Sequence, residues 1–381
     1  MTNRANRVTA EKFDLRATLT IFPKEEKLEI KFTPISTVGE FGLIDKFSTA
    51  ASHFSNPVIV QGIGDDAATI KPSQGKLTVV TTDILIQGIH FDLSYTSMSH
   101  LGRKSAAANL SDIAAMSALP TAAFVSLGIH SNLSVEMIGE FYSSLTDELG
   151  KHHCVIAGGD TSASPIGFVV NLTLLGEVEP DRRTTRNGAV AGDIVCVTGD
   201  LGRAHAGLKI LQREKNRYIE AGQPADFTPN FEGYDDALQK HLLPAARVEF
   251  AREITDKIRV HSMIDISDGL LSDMLHICKA SGISVEIEEE LIPIDPITRR
   301  IAEGLGENPL DYALYGGEDF ELAFTIAEDD FKKLYSLEGN VRAIGRVRSG
   351  SPEVSVKRLD GKTDKFTDFP SYQHFVKGDP S

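Results

Sequence analysis

The sequence predicts a two-domain protein of the α/β or α+β class. Its 381 residues are many for one hydrophobic core, so two domains are expected. Strand-like and helix-like segments alternate irregularly in both halves, which favours α/β or α+β layers over a solenoid. A cluster of charged residues and a proline at 177–183 indicates the linker. We therefore predict an N-terminal extension at 1–35 and domains at 36–180 and 181–381.

The first half contains a predicted series of strands and helices. Strands are expected near residues 58–62, 77–83, 121–129 and 168–175. Helices are expected at residues 39–52, 99–118 and 134–150. Ser99 and Ser134 are the predicted N-caps, because a serine hydroxyl accepts a hydrogen bond from the first helical turn. Gly150 is the predicted C′ residue, and Asn109 and Asp112 share one helix face because they are three residues apart.

The second half repeats this alternation after the linker. Strands are expected near residues 193–198, 283–287, 321–326 and 341–347. Helices are expected at residues 203–214, 270–282 and 328–336. Residues 222–236 contain two prolines and two glycines, which predicts an inserted surface loop.

Composition and charge exclude several classes of function. The formal net charge of −15 argues against a nucleic-acid partner, because nucleic acid needs a basic surface. An anionic small substrate stays possible, since bound Mg²⁺ can reverse the local field. No apolar run approaches the roughly 18 residues of a membrane span, and the start lacks the apolar centre of a signal peptide. The three cysteines are far apart and flanked by apolar residues, so we expect a cytoplasmic protein with reduced thiols and no membrane partner.

Aspartates follow strand ends and tight turns throughout the chain. They are Asp65, Asp66, Asp83, Asp112, Asp160, Asp265 and Asp268. Any one of them alone can be a turn former or a helix cap. As a converging set they would repel, since two carboxylates about 5 Å apart at an effective dielectric of about 20 repel by roughly 3 kcal/mol. Hard oxygen ligands of this kind suit Mg²⁺, so the set and the Thr82 hydroxyl predict a multi-magnesium phosphate site.

Other residues are candidates for binding a phosphorylated ligand. The chain has neither a Walker-type phosphate loop nor the His-Arg-Asp loop of protein kinases, so metal ions would hold most nucleotide phosphates. His90 follows the strand that ends in Asp83, and Arg186 could offer phosphate a planar fork of donors. Glu318 follows a double glycine, where backbone can approach a ligand. Tyr372 could stack on an aromatic ring or close the core.

Seven ordered motifs together resemble one known family. They are Gly39-Glu-Phe41, Gly64-Asp-Asp-Ala-Ala68, Thr82-Asp83 with Gly88-Ile-His-Phe91, Asn109-Leu-Ser-Asp-Ile-Ala-Ala-Met116, Gly158-Gly-Asp-Thr161, Asp265-Ile-Ser-Asp-Gly-Leu270 and Gly316-Gly-Glu-Asp-Phe-Glu-Leu322. The ordered set closely resembles the thiamine-monophosphate kinases, within the aminoimidazole ribonucleotide synthetase-like (PurM-like) superfamily. The resemblance covers roughly residues 36 to 376.

The resemblance implies a fold, an assembly and a reaction. The fold is a two-domain PurM-like fold, in which the N-terminal ATP- and Mg²⁺-binding domain pairs strands across a homodimer and a C-terminal α/β domain packs against it. The reaction is transfer of the ATP γ-phosphoryl group to thiamine monophosphate, with several Mg²⁺ ions. The acceptor phosphate is already largely ionised at pH 7, so we expect direct in-line transfer without a general base or a phosphoenzyme.

The resemblance also implies roles for particular residues. The magnesium shell is expected to be Asp66, Thr81, Thr82, Asp83, Asp112, Asp160, Asp265 and Asp268. The expected ATP contacts are Gly159, Asp160, Arg186 and Ser267. The expected contacts to thiamine monophosphate are His90, Glu318 and Tyr372. Asp66, Asp83 and Asp112 are the expected catalytic acids.

Three alternatives and three departures accompany this interpretation. The alternatives are another PurM-like enzyme such as aminoimidazole ribonucleotide synthetase or a hydrogenase-maturation carbamoyl dehydratase, a selenophosphate synthetase-like enzyme, and a silent scaffold that binds nucleotide only. A selenophosphate synthetase would need a reactive N-terminal cysteine, whereas the cysteines here are Cys154, Cys196 and Cys278. The departures are the first 35 residues, the loop at 222–236, and Phe320 in place of a more usual tyrosine.

Overall fold

The computed structural model describes residues 32–51, 55–336 and 341–368, which form mixed α/β layers built on three sheets. Tyr372 and residues 1–31 of the predicted N-terminal extension lie outside the described residues. Within those described ranges, no helix is both long and apolar enough to cross a membrane. One strand ends at Val178 and the next begins at Ile194; the predicted division at 180/181 stays a prediction.

Between residues 32 and 178 the described chain forms three helices and six strands. The helices are α1 (Ile35–Ala51), α2 (Met98–Ala115) and α3 (Val135–Lys151). The strands are β1 (Ile59–Gln61), β2 (Thr69–Ile70), β3 (Leu77–Ile86), β4 (Leu119–Ile129), β5 (Val155–Ala163) and β6 (Val169–Val178). A kink at Gly39 divides α1.

Four of these strands form the N-terminal sheet, in the order β3-β6-β4-β5. The β3–β6 and β6–β4 pairs are antiparallel and β4–β5 is parallel, so β3 and β5 are the edges. Helices α2 and α3 cover one face, where Val125 and Leu172 are buried. The other face, which we call the open face, exposes Val80 by 61% and Ile84 by 50%. The N-terminal sheet therefore has one packed face and one uncovered face.

From residue 190 onward the described chain forms seven α-helices, two short 3₁₀-helices (Glu289–Leu291 and Lys332–Ser336) and seven strands. The helices are α4 (Arg203–Glu220), α5 (Asp235–Leu242), α6 (Val248–Lys257), α7 (Leu270–Ser281), α8 (Pro296–Gly304), α9 (Pro309–Tyr315) and α10 (Glu328–Phe331). The strands are β7 (Ile194–Thr198), β8 (Val260–Ile266), β9 (Ser284–Glu288), β10 (Glu321–Ile326), β11 (Val341–Arg348), β12 (Glu353–Lys357) and β13 (Thr363–Phe366).

These seven strands form one C-terminal sheet, in the order β13-β12-β9-β11-β7-β10-β8. All of its pairs are antiparallel except β12–β9. Helices α7 and α9 pack on one face, where Leu275 and Leu314 join the core. Helices α4, α5 and α8 form an outer layer with its own small core around Leu238 and Ile301.

Helix α2 lies between the two sheets and is buried along most of its length. Its residues Leu110 and Ile113 belong to the same core as Ile254 of α6 and Met263 of β8. Small residues permit this close packing. A Cβ at Gly102 would lie only 2.3 Å from the Phe141 carbonyl oxygen of α3. The helix therefore holds side chains against both parts of the molecule.

Most predicted elements are confirmed, with shifts at their ends. Strand β10 matches its predicted bounds, and Ser134 is the N-cap of α3. The prediction of Ser99 as an N-cap is wrong, because α2 begins at Met98 and Ser97 accepts the capping hydrogen bond from His100 N. The prediction of Gly150 as C′ is also wrong, because α3 continues through Lys151. Helices α5, α6, α8 and α9 were not predicted.

Candidate active site

A cleft of about 1060 Å³ lies between the N-terminal and C-terminal parts of the molecule. Strand β3, the turn after it and α2 line one wall, and the turn after β8, the segment before β10 and α4 line the other. Eight residues predicted for the site line this cleft: Asp83, His90, Asp112, Arg186, Asp265, Ser267, Asp268 and Glu318. The cleft therefore collects most of the predicted residues from both parts of the chain.

Asp83 and Asp112 belong to the N-terminal wall. Side chains alternate along β3, so Thr81 and Asp83 share the half-buried side of the strand. The Thr81 hydroxyl donates a hydrogen bond to Asp112 Oδ2. Burial, followed by the charge of Asp112, raises the pKa of Asp83 to about 6. Burial also raises the pKa of Asp112, against the opposing effects of the Thr81 hydrogen bond and the Arg186 charge.

Asp265 belongs to the C-terminal wall, near the end of β8, and is only 3% exposed. Burial, followed by the charge of Asp112, raises the pKa of Asp265 to about 7. The next turn is held by Asp273 of α7, which accepts hydrogen bonds from Ser267 N and Asp268 N at 3.1 Å each. Burial and then the Asp265 and Asp268 charges raise the pKa of Asp273 well above its ordinary range. Acids from both walls thus oppose one another's ionisation.

Arg186 is the cation that faces these acids from the linker. It is exposed, lines the cleft, and its charge lowers the pKa values of Asp112 and Asp265 against the effect of burial. The Arg186 carbonyl oxygen accepts a hydrogen bond from Ser281 Oγ at 3.1 Å, which ties the linker to the end of α7. A guanidinium group in this position can bind phosphate oxygens with two parallel hydrogen bonds.

Glu318 and His90 also line the cleft. A Cβ at Gly317 would lie 2.5 Å from the Ser267 carbonyl oxygen, so the chain can pass this close only with glycine there. Glu318 N then donates to Ser267 O at 2.8 Å, and Glu318 adopts φ +67°, which is uncommon for a non-glycine residue. Opposite it, His90 Nδ1 accepts from Ile86 N at 3.0 Å. The neutral His90 ring therefore carries its proton on Nε2.

Asp319 and Glu321 follow Glu318 but are fully buried and serve the fold. Asp319 accepts hydrogen bonds from Gly202 N at 2.6 Å and Ala204 N at 3.2 Å, so it caps the start of α4. Burial raises the pKa of Asp319 to about 7. Glu321 is bound by Arg247 at 2.7 and 2.8 Å and by Lys240 at 2.6 Å. Only the first acid of this motif faces the cleft.

Asp66, Gly159 and Asp160 line a second cavity, also of about 1060 Å³, beside β5 and α1; we call it the edge cavity. In the sheet register, Asp160 is level with Ser126 and Ile84, so its side chain belongs to the open face. Asp83 projects from the opposite face, at the opposite edge. Three strand spacings separate these edges, which is about 14 Å.

Thr82 also points away from the cleft. Because it lies between Thr81 and Asp83 on β3, its side chain is on the open face. Its hydroxyl oxygen is 2.9 Å from Thr173 Oγ1 and accepts from Asn171 Nδ2 at 3.1 Å. Within one chain, the residues expected to bind magnesium therefore lie in two separate places. We call Asp83, Asp112 and Asp265 the cleft acids, and Asp66 and Asp160 the edge acids.

The cleft acids suit a magnesium ion that arrives with a phosphate ligand. No three or more His, Cys, Asp or Glu side chains among the described residues are arranged to hold a metal ion on their own. Mg²⁺ commonly takes only one or two protein carboxylates, and waters and substrate phosphates complete its shell. The raised pKa values of Asp83 and Asp265 mean that their ionised forms lack enough compensating positive charge. A bound cation would supply that charge.

Two residues that sequence reasoning missed are important in this cleft. Lys104 is 3% exposed and pairs with Glu318 at 2.6 Å. A signal for it was available, because Lys104, Ala108 and Asp112 recur every four residues and share one face of α2. Asp273 is the other, and no signal distinguished it from an ordinary acid in a first helical turn.

Two family profiles match the chain. The profile of the AIR synthase related protein N-terminal domain matches residues 64–178, and that of the AIR synthase related protein C-terminal domain matches residues 190–357. The two matches adjoin the gap between β6 and β7. They cover the strands and helices that form both walls of the cleft.

Curated relatives and solved structures match over most of the chain. The thiamine-monophosphate kinase of Aquifex aeolicus is 35% identical over 317 residues, covering 83% of this chain and 94% of the relative. That of Bacillus subtilis is 32% identical over 340 residues, covering 88% and 99%. The crystal structure of thiamine-monophosphate kinase from Stenotrophomonas maltophilia K279a has a TM-score of 0.69 at 30% identity, covering 85% and 98%.

Two further structures distinguish shared fold from closer kinship. The structure of AaThiL complexed with AMPPCP and TMP has a TM-score of 0.66 at 33% identity, covering 87% of this chain and 97% of that one. The hydrogenase maturation protein HypE also has a TM-score of 0.66, covering 87% and 98%, but is only 18% identical, so it supports the PurM-like fold alone. The sequence identities separate the two, and this chain belongs to the thiamine-monophosphate kinase family.

Proposed function

We propose that this protein transfers the γ-phosphoryl group of ATP to thiamine monophosphate and releases ADP and thiamine diphosphate. The names of its relatives and the AaThiL complex with AMPPCP, an ATP analogue, and TMP support this reaction. The observation that carries it is the cleft, where Asp83, Asp112 and Asp265 meet from both parts of the chain beside Arg186. Such a site is suited to bringing phosphates together.

The chemical difficulty is repulsion between two phosphate groups. The acceptor phosphate is already ionised near pH 7, so transfer needs orientation and charge stabilisation more than a base. Mg²⁺ ions bound with ATP would supply the positive charge that screens this repulsion. Asp83, Asp112 and Asp265 would hold those ions, while Arg186 and Ser267 would bind ATP phosphate oxygens. Direct in-line transfer then follows without a phosphoenzyme.

The acceptor would bind beside His90 and Glu318. The neutral His90 ring presents Nε2–H as a donor because Nδ1 is already hydrogen-bonded. Burial raises the pKa of Glu318, but the charge and the hydrogen bond of Lys104 outweigh it, so the pKa of Glu318 is lowered. An ionised carboxylate here suits a substrate that carries a cationic thiazolium ring. Tyr372 stays a predicted contact.

A homodimer would explain why the edge acids lie apart from the cleft. The open face exposes Val80 and Ile84, and uncovered apolar side chains on a sheet favour a protein partner. Two-fold packing of open face on open face can place the β5 edge of one protomer near the β3 edge of its partner. Asp66, Thr82, Gly159 and Asp160 would then complete a site whose cleft belongs to the partner.

The experiment is an assay of the purified protein with ATP, Mg²⁺ and thiamine monophosphate. We expect ADP and thiamine diphosphate to form in equal amounts. Free thiamine is the control acceptor and should not be phosphorylated, because it lacks the ionised phosphate that accepts the transferred group. Phosphorylation of free thiamine, or ADP release without thiamine diphosphate, would contradict the proposal.

A further inference from the structure

Lys104 joins the two residues assigned to the acceptor. Its Nζ lies 2.6 Å from Glu318 Oε1 on the C-terminal wall and donates to the His90 carbonyl oxygen at 3.0 Å on the N-terminal wall. An ammonium group has three donors and no acceptor, so one lysine can satisfy both partners at once. The two contacts come from segments more than 200 residues apart in sequence. Lys104 therefore ties together the two sides of this end of the cleft.

The surroundings make this lysine difficult to replace. Its side chain is 4% exposed, while the Glu318 side chain is 30% exposed and faces the cleft. The other Glu318 oxygen, Oε2, lies 3.4 Å from His241 Nδ1. Burial, and then the Lys104 charge, lowers the pKa of His241 to about 3, so that ring is neutral at pH 7. The permanent positive charge against Glu318 thus comes from Lys104.

The backbone on both sides of Lys104 is constrained. Glu318 adopts a left-handed φ of +67°, a conformation that surrounding contacts must maintain in a non-glycine residue. His90 lies in a turn in which His90 N donates to Ile86 O at 2.9 Å and Gly88 N donates to Phe91 O at 2.8 Å. Lys104 itself belongs to helix α2, most of whose residues are buried. A fixed cation between two constrained segments is suited to orienting side chains and not only to balancing charge.

We propose that Lys104 is a positioning residue for the acceptor substrate, because it holds the Glu318 carboxylate and the His90 turn in one arrangement across the cleft. This inference rests on the proposed function. It assigns Lys104 an effect on acceptor binding through Glu318, and none on the cleft acids that would hold ATP with its metal ions. A lysine that served only to neutralise a buried carboxylate would affect folding and leave the KM values alone.

The test combines Lys104→Met, Glu318→Gln and the double variant. A hydrogen bond to a charged group contributes about 1.5–3 kcal/mol, equivalent to roughly 10- to 150-fold in affinity. Lys104→Met should therefore raise the KM for thiamine monophosphate by about 10- to 100-fold and change the KM for ATP by less than about twofold. In the Glu318→Gln background, Lys104→Met should add less than about threefold, because its main partner is already altered.

Arg252→Met is the matched control. Arg252 Nη1 also joins a carboxylate and a backbone carbonyl across the two parts, with Glu179 Oε2 at 2.8 Å and Ser117 O at 2.8 Å, but it lies outside the cleft. We expect Arg252→Met to lower the melting temperature and to leave both KM values unchanged.

The double variant of Lys104→Met and Glu318→Gln guards against one complication. Lys104→Met alone leaves the Glu318 carboxylate unpaired and could fail to fold, whereas the double variant has no carboxylate at that position.

The outcomes separate this inference from the proposed function. A wild-type protein that makes thiamine diphosphate, together with a double variant whose acceptor KM exceeds that of Glu318→Gln by tenfold or more, would overturn the positioning role alone. An unchanged acceptor KM in folded Lys104→Met would overturn it as well. A wild-type protein unable to phosphorylate thiamine monophosphate would overturn the proposed function and the inference with it.

Discussion

The cleft and the edge cavity contain the same type of side chain in opposite environments. The cleft acids are buried or half-buried, and burial raises their pKa values, to about 6 for Asp83 and about 7 for Asp265. The edge acids Asp66 and Asp160 are exposed. Their neighbour Asp65 has a lowered pKa, because it accepts hydrogen bonds from Asp66 N and Gln61 Nε2 at 2.8 Å each.

This difference distinguishes two ways of placing carboxylates at a site where Mg²⁺ ions bind phosphate. The cleft acids destabilise the ligand-free protein, since their ionised forms are desolvated and repel one another. Such an arrangement is retained when a cation offsets it during function. The edge acids carry little such cost, and in our proposal they act only when a second protomer brings a cleft to them. The predictions below test whether the two groups differ in this way.

The largest expected effect is on turnover in Asp112→Asn. The charge of Asp112 raises the pKa of both Asp83 and Asp265. Loss of one charge-stabilising group from an active site commonly costs about 100-fold or more in kcat. We expect a loss of that size, with a higher Mg²⁺ requirement, in a steady-state assay. Asp147→Asn, an exposed acid on α3, is the control and should be fully active.

A folded Asp112→Asn protein with near-normal turnover would remove the cleft acids from the mechanism. Folding is checked by the melting temperature and by the elution volume of the variant on size exclusion. The elution volume should match the wild type, because an aspartate-to-asparagine change preserves the shape of the side chain. The melting temperature should be no lower than that of the wild type, because the substitution removes a desolvated charge.

The second prediction concerns complementation between protomers. If Asp160 acts in the partner's cleft, Asp160→Asn and Asp112→Asn should each lower activity as homodimers, the former by about tenfold. A heterodimer of the two variants would contain one site with both groups intact. Heterodimers purified through two different tags should then regain about half of the wild-type rate, since one of the two sites in a C₂ dimer is restored.

Heterodimers no more active than the mean of their parents would contradict a shared site. They would place both acid groups in one chain's own site, reached by a movement of the segment that carries Asp66. Heterodimers of Asp112→Asn with Asp265→Asn supply the matched control. Both of those residues are cleft acids, so their heterodimer has no intact cleft and should stay inactive.

Local signals predicted much of the fold because they depend on neighbours in sequence. Ser134 was identified as a cap from a serine before an apolar helical pattern, and Gly282 ends α7 in a left-handed conformation at φ +67°. The sequence predicts Ser99 as the N-cap of α2, whereas Ser97 is the N-cap in the structure. That helix begins at Met98, whose side chain is buried in the core. Strand β5 continues through Gly158 and Gly159, because β4 pairs with both residues.

The sequence predicts most residues of the candidate site, but not their separation between the cleft and the edge cavity. Sequence order suggested that acids following strands converge, and Asp83, Asp112 and Asp265 do line one cleft. Their separation from Asp160 follows from the strand order β3-β6-β4-β5, which places β3 and β5 at opposite edges. That order is set by pairings between distant segments, which periodicity in one sequence does not encode. The helical spacing places Lys104 on the same face of α2 as Asp112, but its partners Glu318 and His90 become its neighbours only in the fold.

The third prediction is a pH-dependent gain in stability for Asp265→Asn. The folded-state pKa of Asp265, about 7, exceeds its ordinary value of 3.8, so the folded state binds the proton more tightly than the unfolded state. The free energy of unfolding therefore falls as pH rises from about 4 to about 7. Without Mg²⁺ or ATP, Asp265→Asn should stabilise the protein by about 2–4 kcal/mol at pH 8 and by about half as much at pH 5.5.

Melting temperatures at the two pH values measure this difference, and Asp160→Asn is the comparison. An exposed acid of the edge group should change the free energy of unfolding by less than about 0.5 kcal/mol at either pH. Equal effects of the two substitutions at pH 8 would mean that the cleft acids carry no electrostatic cost.

The smallest expected effect is proton release when ATP binds with Mg²⁺. Near pH 6.5 Asp83 and Asp265 are partly protonated, because their pKa values lie at about 6 and about 7. A bound cation favours the ionised carboxylates, so binding should release protons, amounting to about one per site or less. Calorimetric titration in two buffers of different ionisation enthalpy measures this number. It should decrease at pH 8 and in Asp265→Asn, whereas Asp66→Asn should leave it unchanged, since Asp66 is exposed and does not line this cleft. Equal proton release from Asp265→Asn and the wild type would show that the linked protons come from elsewhere, and would remove the electrostatic distinction between the two cavities.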